Sequence, residues 1–528
     1  MVDSQAKSGH GHGDFREMKK DTVLDLRRQI VNATSPEMAK KLFYDKGMYP
    51  PRERIEKLLD PGTFSELDIF AKHQFQDFGM DKKVIPADGV ITGFGEINSR
   101  KVCVYAQDFA ALGGTYGEMH GKKICALMDL AAESLVPIIG ICHSGGLRLQ
   151  ETLGPEKMFG QLFRRNSIYS GVIPQISIIL GVVAGGQAYS PGLTDFILMT
   201  KNSYTYIAGP AFVKAQTASD ISDEDLGGAV MHAQVSGLVD VLEDNEEKVL
   251  REARRLVDFL PSNWCEKAPR HPTDDDPNRC DESLDRVVPD RSQIPFNMHD
   301  IIGPIFDHGD FFEMKPDFAK SMITGFARLG GHTVGVVANQ PKQMGGVIDI
   351  KAAEKGARFV RFCDAFNIPI ITLLDSPAYM IGEEMERGGM IYKGAKLLHA
   401  YAEATVPLIT VIVRKAYAGA YIAMGSQYIG ADLVYAWPGA EISSVASKTA
   451  ASIIFRKEIA EAENKEKVEG LLQYYHDNYV NPIRAASLRH INDIIRPSET
   501  RPILIKSLEL IKTKKKTIPE KKHGNIPL

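Results

Sequence analysis

SGVIPQISIILGVVAGGQAYSPGLTD, residues 170–195, decides how this chain is read. Its run 176–183 is apolar and rich in β-branched residues, the composition of a buried strand. The run empties into Ala184-Gly185-Gly186, and Ser190-Pro191 leads on toward a helix. Adjacent glycines just past a buried strand let a ligand approach bare backbone N–H groups. Such amides, aimed where an acyl oxygen turns negative, form an oxyanion hole.

The arrangement recurs. TVPLITVIVRKAYAGAYIAMGSQYIGAD, residues 405–432, has the same strand and the same turn, with Gly186 matching Gly419 at an offset of 233. Upstream, VCVYAQDFAALGG (102–114) aligns with VGVVANQPKQMGG (334–346) at an offset of 232. That offset also pairs Pro137 with Pro369 and His143-Ser144 with Asp375-Ser376. One register held over so many landmarks means two copies of one fold.

A chain of 528 residues with this repeat predicts two large halves. With 44% hydrophobic and 25% charged residues it has the composition of a soluble globular protein, and its net charge of −4 gives no basis for nucleic-acid or membrane binding. No apolar stretch is long enough to span a bilayer. Six cysteines are scattered without CxxC or Cys/His spacing, so no metal is expected. Several sit in apolar runs, which predicts reduced thiols and a cytoplasmic location. The N-terminus lacks an apolar signal segment, and acidic Asp3 and Asp14 make it a poor import sequence. GHGHG at 9–13 reads as a disordered tail rather than a metal tract.

In chain order, residues 14–60 carry dense charge at helical spacing, closed by Pro61-Gly62. Strands are expected near 89–94 and 102–106. The loop GGTYGEMHGKK (113–123) lacks P-loop spacing. A helix over 121–135, opened by Gly121, could offer amides and Lys122 or Lys123 to a phosphate, or simply be a solvated helix start. Strand 136–142 then runs into His143-Ser144-Gly145-Gly146. Adjacent strand residues face opposite ways, so Cys142, His143 and Ser144 do not make a nucleophile–base pair; Gly145-Gly146 as a backbone ligand loop is the better reading. Short strand, glycine turn and helix in alternation make an α/β architecture. Residues 261–295 form a Pro-, Asp- and Arg-rich linker whose acidic run is expected to be solvated; a boundary there gives domains 1–290 and 291–528. Glu383, Glu384 and Glu386 read as caps or solvated acids. The basic tail 512–528 reads as solvated.

From Arg52 to Leu528 the chain resembles the carboxyltransferase (β) subunit of biotin-dependent acyl-CoA carboxylases, such as propionyl-CoA and acetyl-CoA carboxylase, and the related transcarboxylase and decarboxylase subunits. The motifs are RERIEKLLDPGTF, GVIPQISIILGVVAGGQAYSPGLTDF, GFARLGGHTVGVVANQP, KGARFVRFCDAFNIP, EATVPLITVIVRKAYAGAYIAM, ADLVYAWPGAEI and KKHGNIPL. The resemblance implies two tandem crotonase-like (ClpP-like) β/α spiral domains, as the repeat suggests independently. It implies a homohexamer, a trimer of dimers, with the site where one subunit's first domain faces its partner's second. The reaction implied carries CO₂ from N1 of carboxybiotin to the α-carbon of an acyl-CoA thioester. Oxygen anions develop on both molecules, so two backbone holes are needed and few side chains. Carried over, Gly185 and Gly186 hold the acyl carbonyl, and Gly419 and Ala420 the biotin carbonyl. Removing one such donor costs about 3 kcal/mol. Around them, Gly145, Gly146, Leu147, Tyr189, Ala378, Tyr421 and Ile422 are expected to contact substrate.

The chain departs from the family pattern near this cleft. His143 replaces an acid and Leu147 an alanine in the GGLR loop, Ala378 replaces a glycine, Ala418-Gly419 stands for a double glycine, and SSVASKTAAS (443–452) replaces the segment after AWPGAEI. These changes point to an unusual acyl substrate, a diverged reaction, or neutral drift. Lacking a biotinylation motif and an ATP loop, a carboxylase subunit of this kind needs a biotin carboxylase and a biotinyl carrier in trans. The alternative is a decarboxylase subunit acting on a malonyl-, methylmalonyl- or glutaconyl-type CoA; a non-catalytic scaffold is the third reading, against which the glycines at both turns argue.

Overall fold

The computed structural model describes residues 20–462 and 464–527. The histidine tract at 9–13, Asp3 and Asp14 lie outside them. Eight strands, β1 (Ser65–Leu67), β2 (Val90–Ile97), β3 (Arg100–Gln107), β4 (Ile138–Ser144), β5 (Gln175–Ala184), β6 (Phe196–Thr200), β7 (Tyr204–Tyr206) and β8 (Val241–Glu243), make one sheet in the order β1-β2-β3-β4-β5-β6-β8, with β7 also beside β5. The second sheet holds β9 (Phe311–Met314), β10 (Met322–Leu329), β11 (His332–Asn339), β12 (Ile370–Ser376), β13 (Leu408–Tyr417), β14 (Leu433–Ala436), β15 (Glu441–Ser443) and β16 (Asp493–Ile494), in the order β16-β14-β13-β12-β11-β10-β9, with β15 also beside β13.

The duplication is visible residue by residue. β2–β3 and β10–β11 are antiparallel hairpins. Their two-residue turns put both central residues at positive φ, Asn98 and Ser99 at 51° and 61°, Gly330 and Gly331 at 59° and 80°. That geometry follows the right-handed strand twist. From β3 and β11 onward the strands run parallel, crossed over by helices Glu118–Glu133 and Gly154–Ile168 in the first half, and Ile350–Ala365 and Met390–Glu403 in the second. β5 bulges against β4 between Cys142 and Ser144, and β13 against β12 between Leu374 and Ser376. These are two tandem β/α spirals, as expected.

The halves share one apolar core. Phe196 of β6 packs edge-on to Phe362, centroids 4.5 Å apart, and to Phe326 of β10 at 6.0 Å. Phe259 stacks on Phe312 at 5.9 Å. Burying aromatic area of this kind stabilises by roughly 25 cal/mol per Å².

Several expectations need correction. The first crossover helix begins at Glu118, not Gly121. Residues 261–295 are not a detached linker: Asn263 donates to the Leu135 carbonyl, and Asn367 donates to the carbonyls of Trp264 and Glu266. Its acidic run is not wholly solvated, because Asp275 binds Arg279 at 2.8 Å and faces Arg501 at 3.5 Å, which holds its carboxyl well below the usual range. Nor is the basic tail loose. Lys516 donates to the Ala404 carbonyl at 2.9 Å, while Lys514 and Lys521 pair with Asp432 and Glu403. Cations on a tail follow whatever carbonyls and carboxylates the fold leaves nearby, and these come from residues distant in sequence. No helix among the described residues is long and apolar enough to cross a membrane.

Candidate active site: two glycine turns at strand ends

β5 ends at Ala184, and the chain then enters a short 3₁₀ turn, Gly185–Ala188, followed by helix Tyr189–Leu193. β13 ends at Tyr417 and passes into helix Ala418–Ala423. Neither start has a side-chain cap. The first amides of a helix have no partner within it, so each strand delivers N–H donors to its C-terminal end. Both turns use a left-handed first residue, Gly185 at φ 70° and Ala418 at φ 48°. By this correspondence Ala418-Gly419 is the structural counterpart of Gly185-Gly186, one residue before the expected pair Gly419-Ala420. Gly419 belongs to both pairings.

The turns are seated on rings. A Cβ on Gly186 would lie 2.9 Å from the Phe159 ring, and one on Gly419 would lie 3.5 Å from Tyr379. Space beside Gly185 is open. Phe159 and Tyr379 were not anticipated. Tyr379 could have been found, because the offset of 232 pairs it with Leu147; Phe159 comes from helix Gly154–Ile168 and has no such signal.

Gly146 is buried against the end of β5, while Gly145 is exposed beside it. Gly145 donates its N–H to the Gly113 carbonyl at 2.9 Å, and Gly146 donates to Ser144 Oγ at 3.2 Å. A Cβ on Gly146, at φ 105°, would approach the Ala184 carbonyl at 3.2 Å. Both N–H groups of the expected ligand loop thus have partners within the chain. Half-buried Leu147 pairs with Tyr116 in a short bridge, as Tyr379 does with Ile348. Ala378, the counterpart of Gly146, accepts from the Ile348 N–H at 3.1 Å. Tyr421 is buried with its hydroxyl donating to the His490 carbonyl at 3.0 Å, so it supports the second turn from behind. Tyr189 and Ile422 are exposed. Tyr189 lines an apolar cavity of about 590 Å³ with Phe163, Ala188, Leu193, Tyr206 and Ile207, all from the first half.

The second turn has polar surroundings instead. Tyr417 donates its hydroxyl to Glu441 on β15, and burial together with that bond pushes the phenol far above its usual range. Buried Asp375 accepts from Arg414 at 2.9 Å and from the Lys415 N–H at 2.8 Å. In the first half the same two positions are His143 and Gly181. A Cβ on Gly181 would meet the His143 ring at 2.4 Å. His143 stacks on Phe109 at 4.2 Å and faces Arg54 at 3.4 Å. Burial, then the Arg54 charge, lowers its pKa to about 2. Cys142 lies elsewhere, near the Tyr105 hydroxyl, so no nucleophile–base pair forms.

Lys123 does not meet a phosphate. It is buried and donates to the carbonyls of Ala87 and Val90, and burial brings it to about 8. The helix start is also filled by acids, Glu118 N–H bonding Glu151 at 2.6 Å and His120 N–H bonding Asp88 at 2.7 Å. Arg148, buried between Asp88 and Glu151, holds both carboxylates there. Exposed Lys122 pairs with Glu118. Glu383 pairs with Arg387 on a solvated helix. Among the described residues no three His, Cys, Asp or Glu side chains converge on a metal site.

The chain matches the carboxyl transferase domain family over residues 43–526. It is 47% identical over 487 residues to the propionyl-CoA carboxylase carboxyltransferase subunit of Haloferax mediterranei, covering 92% of this chain and 94% of that one. It is 46% identical over 511 residues to methylmalonyl-CoA decarboxylase subunit alpha of Veillonella parvula, covering 97% and 99%. Transcarboxylase 12S, solved as a hexamer assembly with methylmalonyl-coenzyme A and methylmalonic acid bound, superposes with a TM-score of 0.93 at 41% identity, over 96% of this chain and 98% of that one. With paired strand-end turns, two tandem crotonase-like domains and a match along nearly its whole length, this chain belongs to the carboxyl transferase family and is an enzyme of that class.

Proposed function

We propose that this protein transfers a carboxyl group between carboxybiotin and the α-carbon of a short acyl-CoA thioester. The observation that carries the reading is the duplicated turn, which sets helix-start amides at the C-terminal end of β5 and again of β13. The division of labour follows the surroundings. The first domain, 1–290, takes the acyl-CoA, with Gly185 and Gly186 on the thioester oxygen and the cavity by Tyr189 for apolar substrate atoms. The second, 291–528, takes biotin, with Gly419 and Ala420 on the ureido oxygen. Gly419 is exposed, with the Tyr379 ring packed against one side of it.

Carboxybiotin, when bound, would supply the CO₂, and the biotin left by its loss would take up the α-proton that the acyl group gives up. The chain's own part is electrostatic. Amides at the first turn favour the thioester oxygen as it gains charge, and those at the second favour the carbonyl of the departing donor. Each well-placed donor contributes about 3 kcal/mol to the barrier reduction. Ile422, exposed beside the second turn, limits the acyl group. The proposed assembly is a homohexamer, as in transcarboxylase 12S, working with a biotin carboxylase and a biotinyl carrier. All six cysteines are unpaired, in keeping with a cytoplasmic setting.

A decarboxylase role is the second reading, favoured by near-equal identity to methylmalonyl-CoA decarboxylase subunits and by the reversibility of the chemistry. Purified protein should be assayed with propionyl-CoA, then with malonyl-, methylmalonyl- and glutaconyl-CoA, each with and without biotin. The carboxylase reading expects biotin-dependent exchange on propionyl- or methylmalonyl-CoA, driven forward by a biotin carboxylase and ATP. Decarboxylation indifferent to biotin would defeat it. Subunit mixing tests the placement of the site: a Gly186→Val protomer and a Gly419→Val protomer, each inactive alone, should regain on the order of a quarter of the activity when co-assembled across a dimer seam.

A further inference from the structure

We propose that the opposite edge of the second sheet carries a binding site for a compact oligophosphate anion. A cavity of about 760 Å³ opens where β11, β12 and β13 begin, flanked by Thr333, Pro369 and Pro407. The glycine turns lie at the other ends of these strands. β13 alone separates the two edges by ten residues, roughly 30 Å at about 3.3 Å per residue. The site is therefore distinct from the proposed catalytic turns.

Three separate segments bring cations to it: Lys267 and Arg270 from 261–295, Lys512 at the end of helix Thr500–Ile511, and Lys514, Lys515 and Lys516 from the tail. No carboxylate is among the lining residues, in a chain whose net charge is −4. Some of these cations are held from outside, Lys512 by Glu509 and Lys514 by Asp432. Arg270 and Lys515 form no hydrogen bond or ion pair among the described residues, and both are exposed. Crowding like charges around a concavity raises their mutual repulsion, and a multivalent anion relieves it. A planar guanidinium and several ammonium groups are the donors that phosphate oxygens favour. The volume suits a ligand of nucleotide size. Because Lys514 and Lys516 also fasten the tail to Asp432 and Ala404, an occupant would brace the tail against the second half.

Phosphate clusters reach a protein of this kind either as free nucleotides or as the 3′-phospho-ADP part of coenzyme A. Titration calorimetry on the full-length protein with tripolyphosphate, ADP and coenzyme A separates the sources. Saturable tripolyphosphate binding is expected, weakening as salt rises. In an Arg270→Glu/Lys515→Glu variant it should fall at least tenfold, whereas Lys83→Glu, an exposed lysine of the first half, should leave it unchanged. ADP binding more tightly than tripolyphosphate identifies a nucleotide as the occupant. Coenzyme A binding at a second site per chain, present in the native protein and lost in the double variant, identifies coenzyme A's own phosphates as the occupant. No saturable heat with tripolyphosphate, or an equal loss in Lys83→Glu, overturns the proposal. Unchanged circular dichroism in the double variant guards against misfolding, since both replaced side chains are unpartnered. Carboxyl transfer measured alongside distinguishes failure of this site from failure of the catalytic reading.

Discussion

At Gly186 a single missing carbon decides the seat of the first turn. Alanine there would press on the Phe159 ring from 2.9 Å, so either the ring or the turn must move. Displacing reacting groups by about 1 Å can cost ~10²-fold in rate. Gly186→Ala is expected to lower kcat/KM for acyl-CoA by about tenfold to a hundredfold, and Phe159→Leu in the same chain should restore most of it. A double variant as slow as the single would show that the ring is not what seats the turn. Ala418 illustrates the converse. It holds φ 48° where its counterpart is Gly185, a conformation costing an L-residue about 1–2 kcal/mol. The glycine pattern in the sequence reveals such turns; of the rings beneath them, the repeat points to Tyr379 through Leu147, and no pattern names Phe159.

His143 carries a titration at this scale. Its imidazole is held to about 2 by burial and by Arg54, against about 6.5 in an unfolded chain. Below pH 6.5 the unfolded state binds the proton and the folded state does not. The stabilisation is therefore complete above pH 6.5 and is lost as pH falls toward 2, at up to about 1.4 kcal/mol per pH unit. His143→Asn should flatten the fall of the urea midpoint between pH 6 and pH 4 by that contribution. Coincident slopes for the two proteins would mean that His143 is not held neutral.

At the scale of elements, the two strand pairs below the turns solve one packing problem in two ways. β12 and β13 lock through Asp375 and Arg414, whereas β4 and β5 lock by laying His143 over bare Gly181. Removing one partner of a buried ion pair strands the other charge, at a cost of about 3–5 kcal/mol. Asp375→Ala should lose that much in chemical denaturation, and Asp375→Ala/Arg414→Met should recover part of it. No recovery would mean that Arg414 finds solvent by itself. The helices repeat too. Lys123 and Lys355 sit at one register, 232 apart, and each is buried donating to backbone carbonyls, Lys123 to those of Ala87 and Val90 and Lys355 to those of Lys315 and Phe318. Lys122 and Lys123 read either as candidate phosphate ligands or as part of a solvated helix start, because glycines beside a lysine are all that the local sequence displays. Which face of the helix would be buried depends on a sheet assembled from the rest of the half. The repeat itself was legible for a simpler reason: proline, glycine and buried-strand positions tolerate few alternatives, so their spacing survives where other side chains change.

For the whole molecule, the two sheets and their order follow from the duplicated pattern, but the way the halves meet does not. Phe196, Phe259, Phe326 and Phe362 interleave across the boundary, and residues 261–295 are stitched to both sides. Cutting the chain near residue 277 should give fragments that stay in solution only when made together. Either fragment produced alone should sediment with the insoluble fraction; a soluble, cooperatively melting single fragment would contradict this. The copies therefore no longer behave as two modules on one string. What began as a doubling has been welded, and a lineage that lost either copy would lose the folding of the one that remained.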